Sequence, residues 1–192
     1  MTESLADRVS RYCVLNGMAK EDDREVLAYV FFSLFATVQQ IFALAIVAVL
    51  LNTVPQMVAF TLCFTMLKRY AGGAHANKHW TCLTIFTALA AAVCLFCKLL
   101  VLPPCIAIAA SGIALALVLL RAPVIHPNNP KSKKARKHMR KVSIAIAAVQ
   151  CALIAVGSVF LPAMEIFLLP GALGGLAAAI ALILPIPEEE SA

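Results

Sequence analysis

Two imidazoles and a thiol stand close together in this chain: His75, His79 and Cys82, within the stretch RYAGGAHANKHWTC over residues 69–82. A thiol attacks as its thiolate, and a neighbouring imidazole can take its proton and later return one to a leaving amine. His79 and Cys82 are three apart and share a face if the segment is helical. His75 and Cys82 are seven apart, about 10 Å along an unbroken helix, so their contact needs a break in the chain. Gly72-Gly73 and Asn77 have the composition of such a break. The residues alone leave the base open between His79 and His75, with geometry leaning to His79. Cys82 opens the apolar run from Leu83, which places it in the first turns of a helix. There the positive end of the helix dipole, with Lys78 nearby, favours a thiolate.

Two other readings of the same residues stand beside this one. His75-x3-His79-x2-Cys82 puts three ligands on one helical stripe that could hold zinc, although no carboxylate lies nearby to orient the imidazoles. The stretch could also be a polar connection with no chemistry at all. His126 and His138 fall in a lysine-rich segment and read as solvated surface. Of the remaining cysteines, Cys63, Cys94, Cys97, Cys105 and Cys151 lie in or beside apolar runs, where a thiol is a small hydrophobe. Cys94-x-x-Cys97 is mid-span, and Cys13 sits in the N-terminal helix.

The elements that must position this stretch belong to a membrane. Of the 192 residues, 62% are hydrophobic and 14% charged, and the mean hydropathy is +0.90. A soluble domain is nearer half apolar. The expected architecture is all-α, with about six transmembrane helices and an amphipathic N-terminal helix, in one integral membrane domain over 1–192. In residues 2–16, Leu5, Val9, Tyr12 and Cys13 share a face, and Asn16-Gly17 ends the helix. The early charges argue against a cleavable signal peptide. Glu21 to Glu25 forms an acidic turn at the start of the next helix. Spans follow at 28–51, 83–102, 105–120, 142–161 and 164–184, punctuated by Pro103-Pro104 and Pro162. Gly171, Gly174 and Gly175 allow close packing in the last.

Segment 54–67 is short for a span, and charge decides how it is read. Basic residues fall in three blocks: four before residue 28, three in 68–81 and eight in 121–141, with Lys98 alone inside a span. If 54–67 crosses, short, tilted or partly re-entrant, all three blocks and both termini share one side, which the preference of basic loops makes cytoplasmic. The 1–25 region, the 68–82 segment and the basic loop 121–141 are then all cytoplasmic. That loop, with KSKKARKHMRK, reads as a topology anchor on anionic lipid or a docking surface for an acidic peptide; nothing supports nucleic acid. No Asp or Glu lies between Glu25 and Glu165. This disfavours a di-aspartate protease, a His-Glu-x-x-His metalloprotease, carboxylate-held magnesium and a carboxylate proton relay.

At Gly72-Gly73-x-His75, the six-residue gap and Cys82 opening a span, the chain resembles the AgrB family, membrane peptidases of Gram-positive peptide quorum sensing. The likeness extends to the small six-span plan and the Ala122-Pro123 turn before a lysine-rich loop. It implies a cysteine endopeptidase of the cell membrane with Cys82 as nucleophile and His75 as its partner, against the geometric lean to His79, and no cofactor. The implied substrate is an AgrD-like propeptide, which loses its acidic C-terminal part as the remainder closes into a thiolactone or lactone. Lys68, Arg69, Gly72, Gly73, Lys131, Lys133 and Lys134 are the expected substrate-binding residues. Membrane lipids are expected partners, and the likeness leaves room for a homodimer. The alternatives are a peptide transporter or exporter that does not cut, and a His/Cys metal-site hydrolase.

Overall fold

A computed structural model describes residues 2–73, 79–100, 102–125 and 131–184. The described residues form seven α-helices: α1 (Thr2–Leu15), α2 (Arg24–Leu51), α3 (Val54–Ala71), α4 (His79–Leu99), α5 (Pro104–Arg121), α6 (Lys133–Phe160) and α7 (Glu165–Ile180). Stretches 21–51, 79–99, 104–121 and 133–160 are long and apolar enough to cross a membrane, and α7 is a shorter apolar helix. The chain is an all-helical membrane protein. It divides into two units, Met1–Ile46 and Val47–Ala192.

In the first unit, α1 ends where Asn16-Gly17 predicts. Gly17 takes φ +69°, its N–H donates to the Val14 carbonyl, and the Met18 N–H reaches back to Cys13. This is the paired closure that a left-handed residue after a helix permits. Leu5 and Tyr12 are exposed along the apolar face of α1, as a helix lying on a lipid surface requires. The Asp7 carboxylate meets Arg24 at 3.1 Å and Arg11 at 2.9 Å. The Arg24 hydrogen bond, with Arg11 beside it, holds the Asp7 carboxyl below its usual range.

In the second unit α3 explains its own modest apolarity. It is one continuous helix of 18 residues, running through Lys68 and Arg69. Val58, Leu62 and Met66 make an exposed stripe, while Met57, Phe60 and Leu67 are buried. A helix packed by protein on most of its surface needs fewer apolar residues than one surrounded by lipid. Its main neighbour is α7, with α6 and α4 beside it. The glycines of α7 make that contact close. A Cβ on Gly174 would fall on the Phe60 carbonyl, and Gly171 faces the Cys63 sulfur. The Gln150 Nε2 donates to the Cys63 carbonyl at 3.1 Å, tying α6 to α3. An alanine-rich core of Ala71, Ala114, Val118, Ala147, Ala178 and Leu182 seals one end of this unit.

Gly174→Ala should therefore separate α3 from α7 and destabilise the fold by about 1–3 kcal/mol. Gly112 has open space around it, so Gly112→Ala should be neutral or slightly stabilising through helix propensity. Thermal unfolding in detergent compares the two; equal midpoints would mean the α3–α7 contact is not close.

Two boundaries differ from expectation. The basic stretch is helical from Lys133, where the Ser132 hydroxyl caps α6 by accepting from the Ala135 N–H at 3.2 Å. Lys98 lies in the last turn of α4, and its ammonium donates to the Leu51 carbonyl at 2.8 Å. It thus satisfies an open carbonyl at the end of α2, a lysine serving the edge of a span.

Candidate active site

Helices α3 and α4 are joined by the 72–78 connection and run antiparallel. Their register shows in a ladder of contacts. Met57 sulfur meets the Cys94 thiol at 4.0 Å. Further along, the Phe64 and Phe86 rings pack at 4.6 Å, with Phe60 against Phe86 at 6.1 Å. One helical turn beyond Phe64 is Lys68, and one turn before Phe86 is Cys82, so the register sets these two opposite each other. Cys82 lies in the first turn of α4, as expected, and is half-buried. His79 is the first residue of α4, with its ring 5.9 Å from that of Trp80.

Lys68 stands just past the apolar segment 54–67. Burial lowers its ammonium to about 8, and the charge of a Cys82 thiolate opposes that shift by favouring the ammonium. Lys68 is thus charged below about pH 8 and neutral above it.

The glycines have a specific task. α3 ends at Ala71, and Gly72 and Gly73 take φ of +76° and +97°, a region where a side chain is strained. A Cβ on Gly72 would fall on the Val124 carbonyl, and one on Gly73 on the Ala181 carbonyl. Both amides are spent internally: Gly72 N–H donates to Lys68 at 3.0 Å and Gly73 N–H to Val124 at 3.3 Å. Val124 in turn donates to the Ala71 carbonyl at 2.9 Å, after the cis Ala122-Pro123 bond. The glycines thus pin the outgoing chain between the end of α5 and the end of α7. Their amides are not open to a substrate, and their role is to position the connection.

Arg69 is exposed, on the side of α3 away from the core. Lys131, Lys133 and Lys134 are exposed around the start of α6, at the end of the unit where α5 terminates. The first turn of α6 carries no acid, so its lysines meet the positive end of the helix dipole. An anion there would relieve that repulsion. Of the expected site residues, then, Lys68 and Cys82 come together, the glycines anchor the intervening chain, and the α6 lysines stand apart as exposed cations. His75, with Asn77, Lys78 and His126, lies outside the described residues. Among the described residues no group of three His, Cys, Asp or Glu could hold a metal ion; His75, the third member of the proposed zinc set, is not among them. The docking of Gly72-Gly73 on Val124 and Ala181 was not legible in the sequence, where only the turn at Ala122-Pro123 hinted at a partner.

The family model described as "AgrB: Accessory gene regulator B" matches residues 2–182. No curated protein and no solved structure matches the chain.

Proposed function

Because the chain belongs to the accessory gene regulator B family, whose members process AgrD-type propeptides in quorum sensing, we propose that it is a membrane cysteine endopeptidase with Cys82 as nucleophile. The observation that carries this reading is the placement of Cys82 in the first turn of α4, opposite the Lys68 ammonium. In the mechanism His75 takes the Cys82 proton, and the thiolate attacks a propeptide carbonyl. The first N–H groups of α4, which have no helical acceptor, are the candidates to hold the oxyanion. The carbon–nitrogen bond then breaks, the imidazolium gives its proton to the leaving amine, and the acidic tail departs with a new N-terminus. The rest of the propeptide remains as a thioester on Cys82. A cysteine or serine within it attacks that thioester, its proton passes to His75, and the bond to Cys82 breaks as the thiolactone or lactone closes. The tethered nucleophile outcompetes scarce water at the membrane edge.

Lys68 serves the thiolate and the oxyanion. Arg69 and the α6 cations Lys131, Lys133 and Lys134 receive the acidic tail or anionic lipid. The preference of basic segments for the cytoplasm supports a cytoplasmic side for this end and both termini, where the propeptide is made. The experiment is co-expression with a tagged propeptide. His75→Ala should stop processing and His79→Ala should leave most of it. The reverse would make His79 the base, and an intact peptide carried across the membrane would favour transport without cutting.

Lys68 gives the reaction a pH signature. Its charge is present below about pH 8 and lost above it, so its contribution fades as pH rises. Lys68→Arg keeps a cation at every working pH and should extend processing to pH 9, beyond the wild-type limit. Lys68→Gln should lower the rate at pH 7 by roughly 10- to 100-fold. Superimposable pH profiles for wild type and Lys68→Arg would remove Lys68 from the reaction.

A further inference from the structure

Helix α6 begins well outside the packed body of the Val47–Ala192 unit. Its Ile144 and Ala147 join the alanine-rich core, together with Leu182 just past the end of α7. From Ile144 back to Lys133 the helix rises about 16 Å, and every lysine and arginine on that length is exposed. Residues 131–141 hold seven of these cations and no acid. Among the described residues none of their side chains makes an ion pair or a hydrogen bond. Lys133, Lys137 and Lys141 follow at spacings of four, so like charges stack on one stripe and repel.

Lipid covers only part of this surface. The apolar run of α6 starts at Val142, and a headgroup layer is about 5–8 Å deep on each side of a bilayer. Lys133 and Lys134 lie about 12–14 Å before Val142 by helical rise. On a helix along the membrane normal, they stand beyond the headgroups.

An acid that fits lies in the same unit. Beyond Glu25 the chain has four carboxylate side chains: Glu165, Glu188, Glu189 and Glu190. Glu165 opens α7, about 22 Å from the end of that helix, so it is at the wrong end. The triad begins four residues after Leu184, the last described residue. A chain of that length spans up to about 14 Å to Glu188 and about 21 Å to Glu190. Helices α6 and α7 are in contact, and packed helices stand about 10 Å apart. Lys137 is about 10 Å beyond Ile144 along α6, and Lys133 about 16 Å. Both are therefore within roughly 20 Å of the end of α7, inside the reach of the triad. The tail also leaves beside the candidate active site, since the Ala181 carbonyl meets Gly73.

We infer that Glu188, Glu189 and Glu190 dock on the first turns of α6, against Lys133, Lys134 and Lys137, as the chain's own acidic peptide. That the docked tail holds off the acidic part of a propeptide rests on the endopeptidase reading; the contact itself does not. A tethered tail competes at an effective concentration of the order of millimolar, so a substrate must displace it.

The test uses the full chain in nanodiscs of zwitterionic lipid, treated with a carbodiimide that joins touching carboxylates and amines, and read by peptide mapping. Glu188, Glu189 or Glu190 should be joined to Lys133, Lys134 or Lys137 of the same chain. The yield should not change on dilution and should drop in about 1 M salt, where screening acts within about 3 Å. No such link, links from these lysines only to Glu21, Asp22 or Asp23, or links only between two copies would each overturn the inference. So would loss of the link when about a third of the lipid is anionic, which would give the surface to lipid. Replacing the three glutamates together by Gln should lower the apparent KM for propeptide roughly three- to tenfold with kcat unchanged. Glu165→Gln should change neither. An unchanged KM in the triple variant, or an equal fall with Glu165→Gln, would overturn the competition. If the links form while Cys82→Ala processes normally, the endopeptidase reading fails and the contact stands.

Discussion

Cys82→Ala is expected to leave the chain folded and inserted while propeptide processing falls by at least about 10³-fold. The reason lies in what the side chain does and does not do. Cys82 is half-buried in the first turn of α4; the ladder that aligns α3 and α4 is carried by Met57, Cys94, Phe64 and Phe86. Alanine is a better helix former than cysteine, so little stability is at stake. What is lost is the sulfur proposed to carry the acyl group. Cys82→Ser should fail almost as completely, because a hydroxyl at that position is far harder to ionise. Immunoblotting of a doubly tagged propeptide reads processing, and thermal unfolding in detergent checks the fold. A variant that unfolds early would assign Cys82 to packing instead.

Gly73→Ala is expected to have the next largest effect, and for a different reason. The residue sits at φ +97° with the Ala181 carbonyl where a Cβ would be. Strain at such a position costs roughly 1–3 kcal/mol, and the collision with backbone forces the chain to move. Gly72 and Gly73 lead out of α3 into the sequence that contains His75, the proposed base, so the substitution is expected to lower processing as well as stability. A displacement of about 1 Å between reacting groups can cost on the order of 100-fold in rate. Gly72→Ala, which would strike the Val124 carbonyl, should behave alike. Gly17→Ala provides the contrast: its φ is +69° but nothing lies within 4 Å. It should lower stability by about 1 kcal/mol and leave processing unchanged. If all three substitutions reduce processing equally, the glycine pair has no special part in positioning.

Much of this is legible in the amino-acid sequence. The helices follow from apolar runs and their punctuation, since lipid demands both length and internally paired backbone. Cys82 at a helix start could be read because Leu83 begins an apolar run directly after it. Gly171 and Gly174 announced a close helix contact, and α3 supplies the partner. Other features could not be read locally. Lys98 looked buried in a span because its acceptor, the Leu51 carbonyl, is 47 residues away in sequence. The basic segment reads as a loop because lysine and arginine signal polarity strongly and helix weakly; Ser132 capping the Ala135 N–H is the local clue. The pairing of Lys68 with Cys82 depends on the α3–α4 register, and that register comes from aromatic packing whose partners no spacing reveals.

If the propeptide passes through a covalent bond to the Cys82 sulfur, intact mass spectrometry of a stalled reaction will catch it. Purified protein is mixed with propeptide whose ring-closing cysteine or serine is replaced by alanine, so that the second step cannot proceed. The reaction is quenched in acid after one turnover. The expected product is an adduct equal in mass to the propeptide without its C-terminal tail, mapped to Cys82 and released by hydroxylamine. Tail release with no adduct on Cys82, or an adduct on another residue, would contradict the covalent route.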